Sequence, residues 1–287
     1  MKLLNFYTDD GIHVGIKKDE GIIDATAAGI GSRMEDIIAN WDIASGLLYR
    51  MYENRLLPML QEDDITFAPT VSGSGKILCS GLNYRGHVDE TSKETEKDYP
   101  DFPVIFSKFG DALSAHNETV SLPVHTFRCF DYEAELVIVI GKTAYNVTEE
   151  RAGEYIFGYT CGNDLSIRDA QFVSSQWLIG KTHPGFAPVG PYIVTADEID
   201  PCDLDITCRR NGITVQSGCT SDMLFSPSRL VSYCSRHIRL EPGDIIFTGT
   251  PEGVILGKEK GKRDWLAPGE EVVVTISKIG SLRTILG

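Results

Sequence analysis

The sequence predicts a β-rich α+β fold, in which a mixed sandwich, roll or barrel of strands follows a small N-terminal α+β unit. Three observations carry this reading. From Lys76 onward short apolar runs alternate with glycine and proline, only two helical patterns interrupt them, and the first seventy residues end in a segment of linker composition.

In chain order, strand-like pieces around residues 3–7, 13–17 and 21–24 precede helical patterns near 34–40 and 47–60. Residues 67–75 read Phe-Ala-Pro-Thr-Val-Ser-Gly-Ser-Gly, a Pro/Gly/Ser stretch that divides the chain into a unit of 1–70 and a unit of 71–287. Strand candidates in the second unit are 77–79, 104–106, 136–140, 159–161, 191–194, 204–209, 244–248 and 271–277. One helix is expected over about 149–157, with Thr148 as N-cap and acids in its first turn. A second is expected over about 227–235, with Ser226 as N-cap and Pro227 at the first helical position.

At 287 residues and 42% hydrophobic content the chain can bury a full core. Its formal charge of −14 has no local cluster of Lys and Arg to offset it, which argues against nucleic acid and anionic lipid as partners. The N-terminal stretch lacks the apolar core of a signal peptide and no later run approaches the ~18 apolar residues of a membrane span, so a cytoplasmic protein is expected. Seven cysteines form no C-x-x-C pair, in keeping with reduced thiols. Gly73-Ser74-Gly75-Lys76 is no phosphate loop, because Thr70 stands where the first glycine belongs and Ile77 replaces the hydroxyl residue. Met34 occupies the third glycine position of a dinucleotide fingerprint begun by Gly29 and Gly31, and no G-x-S-x-G elbow occurs.

Chemistry concentrates elsewhere. Glu133 and Glu135 lead into the apolar run 136–140, and residues two apart on a strand share a face. Two like charges beside a core call for a cation, and oxygen ligands call for a hard one such as Mg²⁺, Mn²⁺ or Ca²⁺. Asp164, in Gly162-Asn163-Asp164-Leu165-Ser166, is available as a third oxygen ligand. Upstream, His87 and Glu90 would share a face if their segment is helical, where the carboxylate can orient the imidazole as a general base.

These pieces together resemble the fumarylacetoacetate hydrolase superfamily. The resemblance rests on five ordered motifs, Gly81-Leu82-Asn83-Tyr84-Arg85-Gly86-His87, Asp131-Tyr132-Glu133-Ala134-Glu135-Leu136, residues 162–171, residues 185–191 and residues 243–254, and covers most of 76–287. It implies that fold for the second unit. It also implies Mg²⁺ or Mn²⁺ on Glu133, Glu135 and Asp164, and a His87–Glu90 dyad on a lid that closes over substrate. Arg168, Gln171, Lys181 and Thr250 would line the pocket, with Lys181 in the catalytic set; taken alone, Lys181 reads as a solvated loop lysine. The larger eukaryotic hydrolases add a carboxylate before the histidine, but residues 79–84 contain none, which points to the smaller, more varied members.

The expected activity is metal-dependent hydrolysis of a carbon–carbon bond in an acylpyruvate-type 2,4-dioxo acid, through a pyruvate enolate whose charge the metal absorbs. His87 would deprotonate water with Glu90 steadying the imidazolium, Lys181 and Arg168 would hold the carboxylate or oxyanion, and the Gly249–Thr250 backbone would donate further hydrogen bonds. Oxaloacetate decarboxylation and isomerisation of a hydroxymuconate or 2-hydroxyhepta-2,4-diene-1,7-dioate reach related enolates, and the distal pocket, which depends on the lid at 91–103 and on the N-terminal unit, would choose among them. His116 and His125 read as loop or satisfied core residues, and His183 stays outside the assigned set. The resemblance also implies a homodimer.

Overall fold

The computed structural model describes residues 1–31, 33–54, 56–71, 75–95 and 99–287, with 92–95 described by backbone alone. Residues 72–74 of the expected linker and 96–98 of the expected lid lie outside that set.

The fold is organised around the strand Ala134–Ile140, in which every residue is buried. Leu136, Ile138 and Ile140 enter one core, while Val137 and Val139 enter another. Side chains alternate across a strand, so burial on both faces produces the unbroken apolar run seen in the sequence. This strand pairs antiparallel with Ile156–Asn163 on one side and Ile245–Phe247 on the other. Beyond the first neighbour the sheet continues through Ala187–Thr195, Lys2–Thr8, Gly11–Lys18, Gly21–Asp24 and Met59–Leu60. Beyond the second it continues through Ile77–Gly81 and Val104–Lys108. The pairing of Ile245–Phe247 with Ile77–Gly81 is parallel, which makes the sheet mixed.

A five-stranded sheet runs in the order Ile213–Cys219, Asp205–Arg210, Glu271–Ile276, Gly280–Leu286, Thr119–Val120. Its Ile206, Val272, Val274, Ile276 and Leu282 share a core with Leu136, Ile138 and Cys161 of the large sheet. The result is two stacked sheets with few helices, the β-rich α+β class expected from the sequence. Lys2–Thr8 joins the large sheet through Lys2 opposite Val194 and Leu3 opposite Ile193. Two helices, Met34–Ala39 and Trp41–Glu53, cover it and add Met34, Ile37, Ile38, Leu48 and Met51 to the second core.

Three local expectations change. The helix expected over 47–60 occupies Trp41–Glu53, and Met59–Leu60 is a strand. Pro58 lacks an amide hydrogen and pushes Leu57 out of the helical region, so the helix ends before it. The helix expected over 149–157 stops after Glu149–Ala152, continues as one 3₁₀ turn at Gly153–Tyr155, and gives way to the strand Ile156–Asn163. Ile156 and Phe157 follow strand preference, and Ile156 pairs with Ile140 of the central strand. Within the expected linker, Thr66–Ala68 forms a strand against Asn5, Phe6 and Tyr7. The helix Pro227–His237 begins where expected, with the Ser226 hydroxyl accepting from the Arg229 amide at 3.2 Å.

Candidate active site

Antiparallel register brings the acidic residues together. Ala134 lies opposite Asn163 and Glu135 opposite Gly162, so Glu133 and Asp164 sit side by side at one end of the strand pair. The Asp164 amide donates to the Glu133 carbonyl at 2.9 Å. One carboxylate oxygen from each of Glu133, Glu135 and Asp164 falls within 4.8 Å of the others, and all three residues are buried. Gly162 permits this pairing, because a Cβ there would meet Phe247 and Val137 at 2.5 Å.

Cations ring the triad. Lys181 Nζ donates to Glu133 Oε2 at 2.6 Å and to Asp164 Oδ2 at 2.8 Å. Arg168 donates to Glu133 Oε1 at 2.6 Å and to Asp131 Oδ2 at 2.9 Å, and a third donor reaches Gln171 Oε1 at 2.9 Å. Asp131 also accepts from the amides of Ile255 and Leu256, tying that loop to the site. Glu135 Oε2 accepts the Gly249 amide at 2.6 Å. Gly249 has φ +93°, and a Cβ there would lie 2.8 Å from that of Asn83, so this position requires glycine. Thr250 also faces the pocket, where its hydroxyl accepts from Gln216 at 2.8 Å.

His87 and Glu90 meet on one helix face. Residues 85–95 are helical, and His87 Nδ1 lies 3.0 Å from Glu90 Oε1, which leaves Nε2 as the nitrogen available to a substrate. Glu90 Oε2 accepts the Gly253 amide at 2.9 Å. Asn83 anchors the chain before this helix through the carbonyls of Thr248 and Phe225 and the amide of Phe225.

The cavity between these elements is lined by His87, Glu133, Glu135, Asp164, Arg168, Gln171, Lys181, Gly249 and Thr250, together with Ser80, Gly81, Leu82, Thr91, Phe106, Phe172, Trp177 and Leu256. Nine of the ten residues singled out from the sequence therefore meet in one place, and Glu90 stands behind His87. Lys181, which taken alone reads as a solvated loop lysine, is 2% exposed and lines the cavity. The short helices Arg168–Gln171 and Leu178–Lys181 touch through Gly180, whose missing side chain makes room for the Gln171 backbone, and this closeness turns Lys181 inward. His183 stacks on Phe186 and does not line the cavity, His116 packs edge-on against Phe67, and His125 is exposed.

Sequence reasoning missed Lys108. It ends the strand Val104–Lys108 in full burial, bonds the carbonyls of Leu165, Lys181 and Phe186, and places Nζ 2.6 Å from Asp164 Oδ1. Its only signal was a lysine closing an apolar run. Trp177 and Phe106 were missed as well, since aromatic residues in loops carry no pattern of their own.

Charge accounting shows what the cluster lacks. Four carboxylates, those of Asp131, Glu133, Glu135 and Asp164, face three cations, Lys108, Arg168 and Lys181. Burial alone would raise the Glu133 carboxyl, but Arg168 and Lys181 outweigh it and hold that group well below the usual range. Burial raises Glu135 well above that range, and repulsion from Asp164 and Glu133 adds to it. Asp164 Oδ1 receives no aligned hydrogen bond although the Lys108 ammonium is near. Glu135, which forms no ion pair with any of these three cations, and the all-oxygen donor set of the triad fit a hard divalent cation.

Residues 76–286 match the family profile described as Fumarylacetoacetate (FAA) hydrolase C-terminal. The chain belongs to the fumarylacetoacetate hydrolase family. It is 44% identical over 219 residues to a fumarylacetoacetate hydrolase domain-containing protein 2 homolog of Dictyostelium discoideum, covering 72% of this chain and 70% of the relative. It is 34% identical over 289 residues to a mitochondrial oxaloacetate tautomerase of Bos taurus, covering 98% and 90%. The solved structure of a maleylpyruvate hydrolase from Sphingobium sp. SYK-6, in complex with manganese (II) ion and pyruvate, superposes over the whole of both chains with a TM-score of 0.82 at 28% identity. Membership places the chain among enzymes of this superfamily. Among the described residues no helix is long and apolar enough to cross a membrane.

Proposed function

We propose that the chain is a divalent-metal-dependent enzyme that moves a proton on a short 2-oxo acid, interconverting its ketone and enol, with oxaloacetate as the first substrate to test. The observation that carries this reading is the placement of one candidate base, His87, at a cavity also lined by three carboxylates and by the cations Arg168 and Lys181. Glu133, Glu135 and Asp164 would hold Mg²⁺ or Mn²⁺, which when bound draws electron density from the 2-oxo group and offsets the charge of an enolate.

The residues divide the remaining work. Arg168 and Lys181 supply fixed positive charge for the substrate's carboxylate without reorganising, because buried acids already hold them in place. His87 Nε2 takes the proton from the carbon next to the ketone. Glu90 holds Nδ1 and stabilises the imidazolium, which then returns the proton to the enol oxygen or to carbon. The amides of Gly249 and Gly253 fix Glu135 and Glu90, so neither carboxylate has to search for its position.

Tautomerisation requires no attacking water beside the substrate, and it is the named activity of the bovine relative. Hydrolysis of an acylpyruvate is the second reading. It uses the same His87–Glu90 pair to activate water, and the maleylpyruvate hydrolase with manganese and pyruvate supports it.

A spectrophotometric assay with Mg²⁺ or Mn²⁺ separates the readings. Loss of the oxaloacetate enol band without release of pyruvate supports tautomerisation. Pyruvate release from oxaloacetate supports decarboxylation, and pyruvate release from an acylpyruvate supports hydrolysis. No reaction with any of these would overturn the 2-oxo acid assignment.

A further inference from the structure

We infer that Trp177 is the specificity-determining residue of this site, an aromatic wedge that limits the substrate to a short 2-oxo acid. The inference rests on the 2-oxo acid reading above and adds the residue that sets substrate length.

Trp177 precedes the short helix Leu178–Lys181 and lines the same cavity as His87 and the carboxylates. Its ring lies against Gly81 so closely that a Cβ on Gly81 would stand 2.3 Å from the indole and 3.0 Å from a second ring atom. It also meets Phe106 edge to face, with centroids 5.7 Å apart. Phe106 in turn lies 5.2 Å beneath the Lys181 ammonium. The indole is thus clamped between the end of the strand Ile77–Gly81 and the strand Val104–Lys108, and its position is linked to the lysine that grips Glu133 and Asp164.

The apolar lining of the cavity consists of Trp177, Phe106, Phe172, Leu82 and Leu256. Trp177 and Phe106 stand beside the Lys181 ammonium, so a 2-oxo acid held by Arg168 and Lys181 that carries a longer chain along this wall meets the indole. Removing the indole opens a slot bounded by Gly81 and Phe106, of the shape and polarity of an alkyl chain.

The test is calorimetric binding in the presence of Mn²⁺, with pyruvate and an eight-carbon straight-chain 2-oxo acid as probes, so that it does not depend on turnover. Wild type is expected to prefer pyruvate. Trp177→Leu, and independently Trp177→Ala, should shift the affinity ratio toward the longer acid by about tenfold or more, the scale on which apolar pockets discriminate by methylene groups. Gly81→Ala, which drives a methyl group into the indole, should weaken pyruvate binding in wild type and have little effect in the Trp177→Leu background. A ratio unchanged in both Trp177 variants, or a Gly81→Ala effect that is the same in both backgrounds, would overturn the wedge while leaving the 2-oxo acid reading intact. Failure of wild type to bind pyruvate overturns the 2-oxo acid reading, and the wedge with it.

Discussion

Lys108 shows how a single side chain can hold a site together without approaching a substrate. Its buried ammonium satisfies three carbonyls and stands beside Asp164. Lys108→Met would keep the volume and remove the charge, leaving those groups unpaired, and should lower the unfolding free energy by about 3–5 kcal/mol in denaturant titration. A loss below about 1 kcal/mol would show that these contacts add little. His116 makes a separate prediction about pH. Burial pushes its pKa down from 6.5 to about 4, against the pull of Glu62 and with the help of Arg283, while Nδ1 accepts the Arg283 amide. Between pH 6.5 and 4 the unfolded chain binds a proton that the folded chain refuses. Stability contributed by neutral His116 is therefore present above 6.5 and lost as pH falls toward 4, on the order of 1–3 kcal/mol. Unfolding of His116→Asn at pH 7 and pH 4.5 should show a smaller drop than wild type; an equal drop would assign the pH dependence elsewhere. At this scale the acids were legible in the sequence, Lys181 was reached only through the family resemblance, and Lys108 was not reached at all. Glu133 and Glu135 declare a shared face by strand alternation, whereas Lys108 and Lys181 look the same in sequence whether they are solvated or enclosed by carboxylates.

At the scale of elements, the helix Arg85–Thr95 rests on the chain after Gly249 at two places where a side chain is absent. A Cβ on Gly86 would meet the Glu252 carboxylate at 2.2 Å, and one on Gly257 would meet the Glu90 carboxylate at 2.5 Å. Gly257→Ala therefore displaces the flexible end of Glu90 and spares the backbone. We predict near-normal stability with turnover reduced about tenfold or more, because the imidazole loses its orienting partner. Full activity in Gly257→Ala would mean that Glu90 does not position His87. The i,i+3 spacing of His87 and Glu90 made their shared face readable in advance. Their depth did not follow from spacing, since it depends on Gly253 and Gly257, more than 160 residues away in the chain. The two misplaced helices have the same cause in reverse. From Ile156 onward pairing with the central strand overrides local helical pattern, and Pro58 keeps the helix that ends at Glu53 from reaching the residues apolar periodicity assigns to it.

Across the whole molecule, the site lies where a fully buried strand pair ends. That end brings three acids together on a rigid frame, and the core of two stacked sheets supplies the rigidity. The class of fold was legible because glycine and proline punctuate short apolar runs. The continuation of the large sheet into residues 2–24 was not, since strand register between distant segments leaves no local trace. The boundary near residue 70, a homodimer and a cytoplasmic location stay as proposals drawn from composition and resemblance. If the cluster needs a divalent cation to balance its charge, excess chelator should abolish activity on 2-oxo acids and added Mg²⁺ or Mn²⁺ should restore it; activity that persists in chelator would exclude the metal-dependent reading. The most direct test is an electron paramagnetic resonance titration of Mn²⁺ into wild type and Asp164→Asn. The account predicts one tightly held ion per wild-type chain and its loss in the variant, whereas no binding, or equal binding by both proteins, would contradict it.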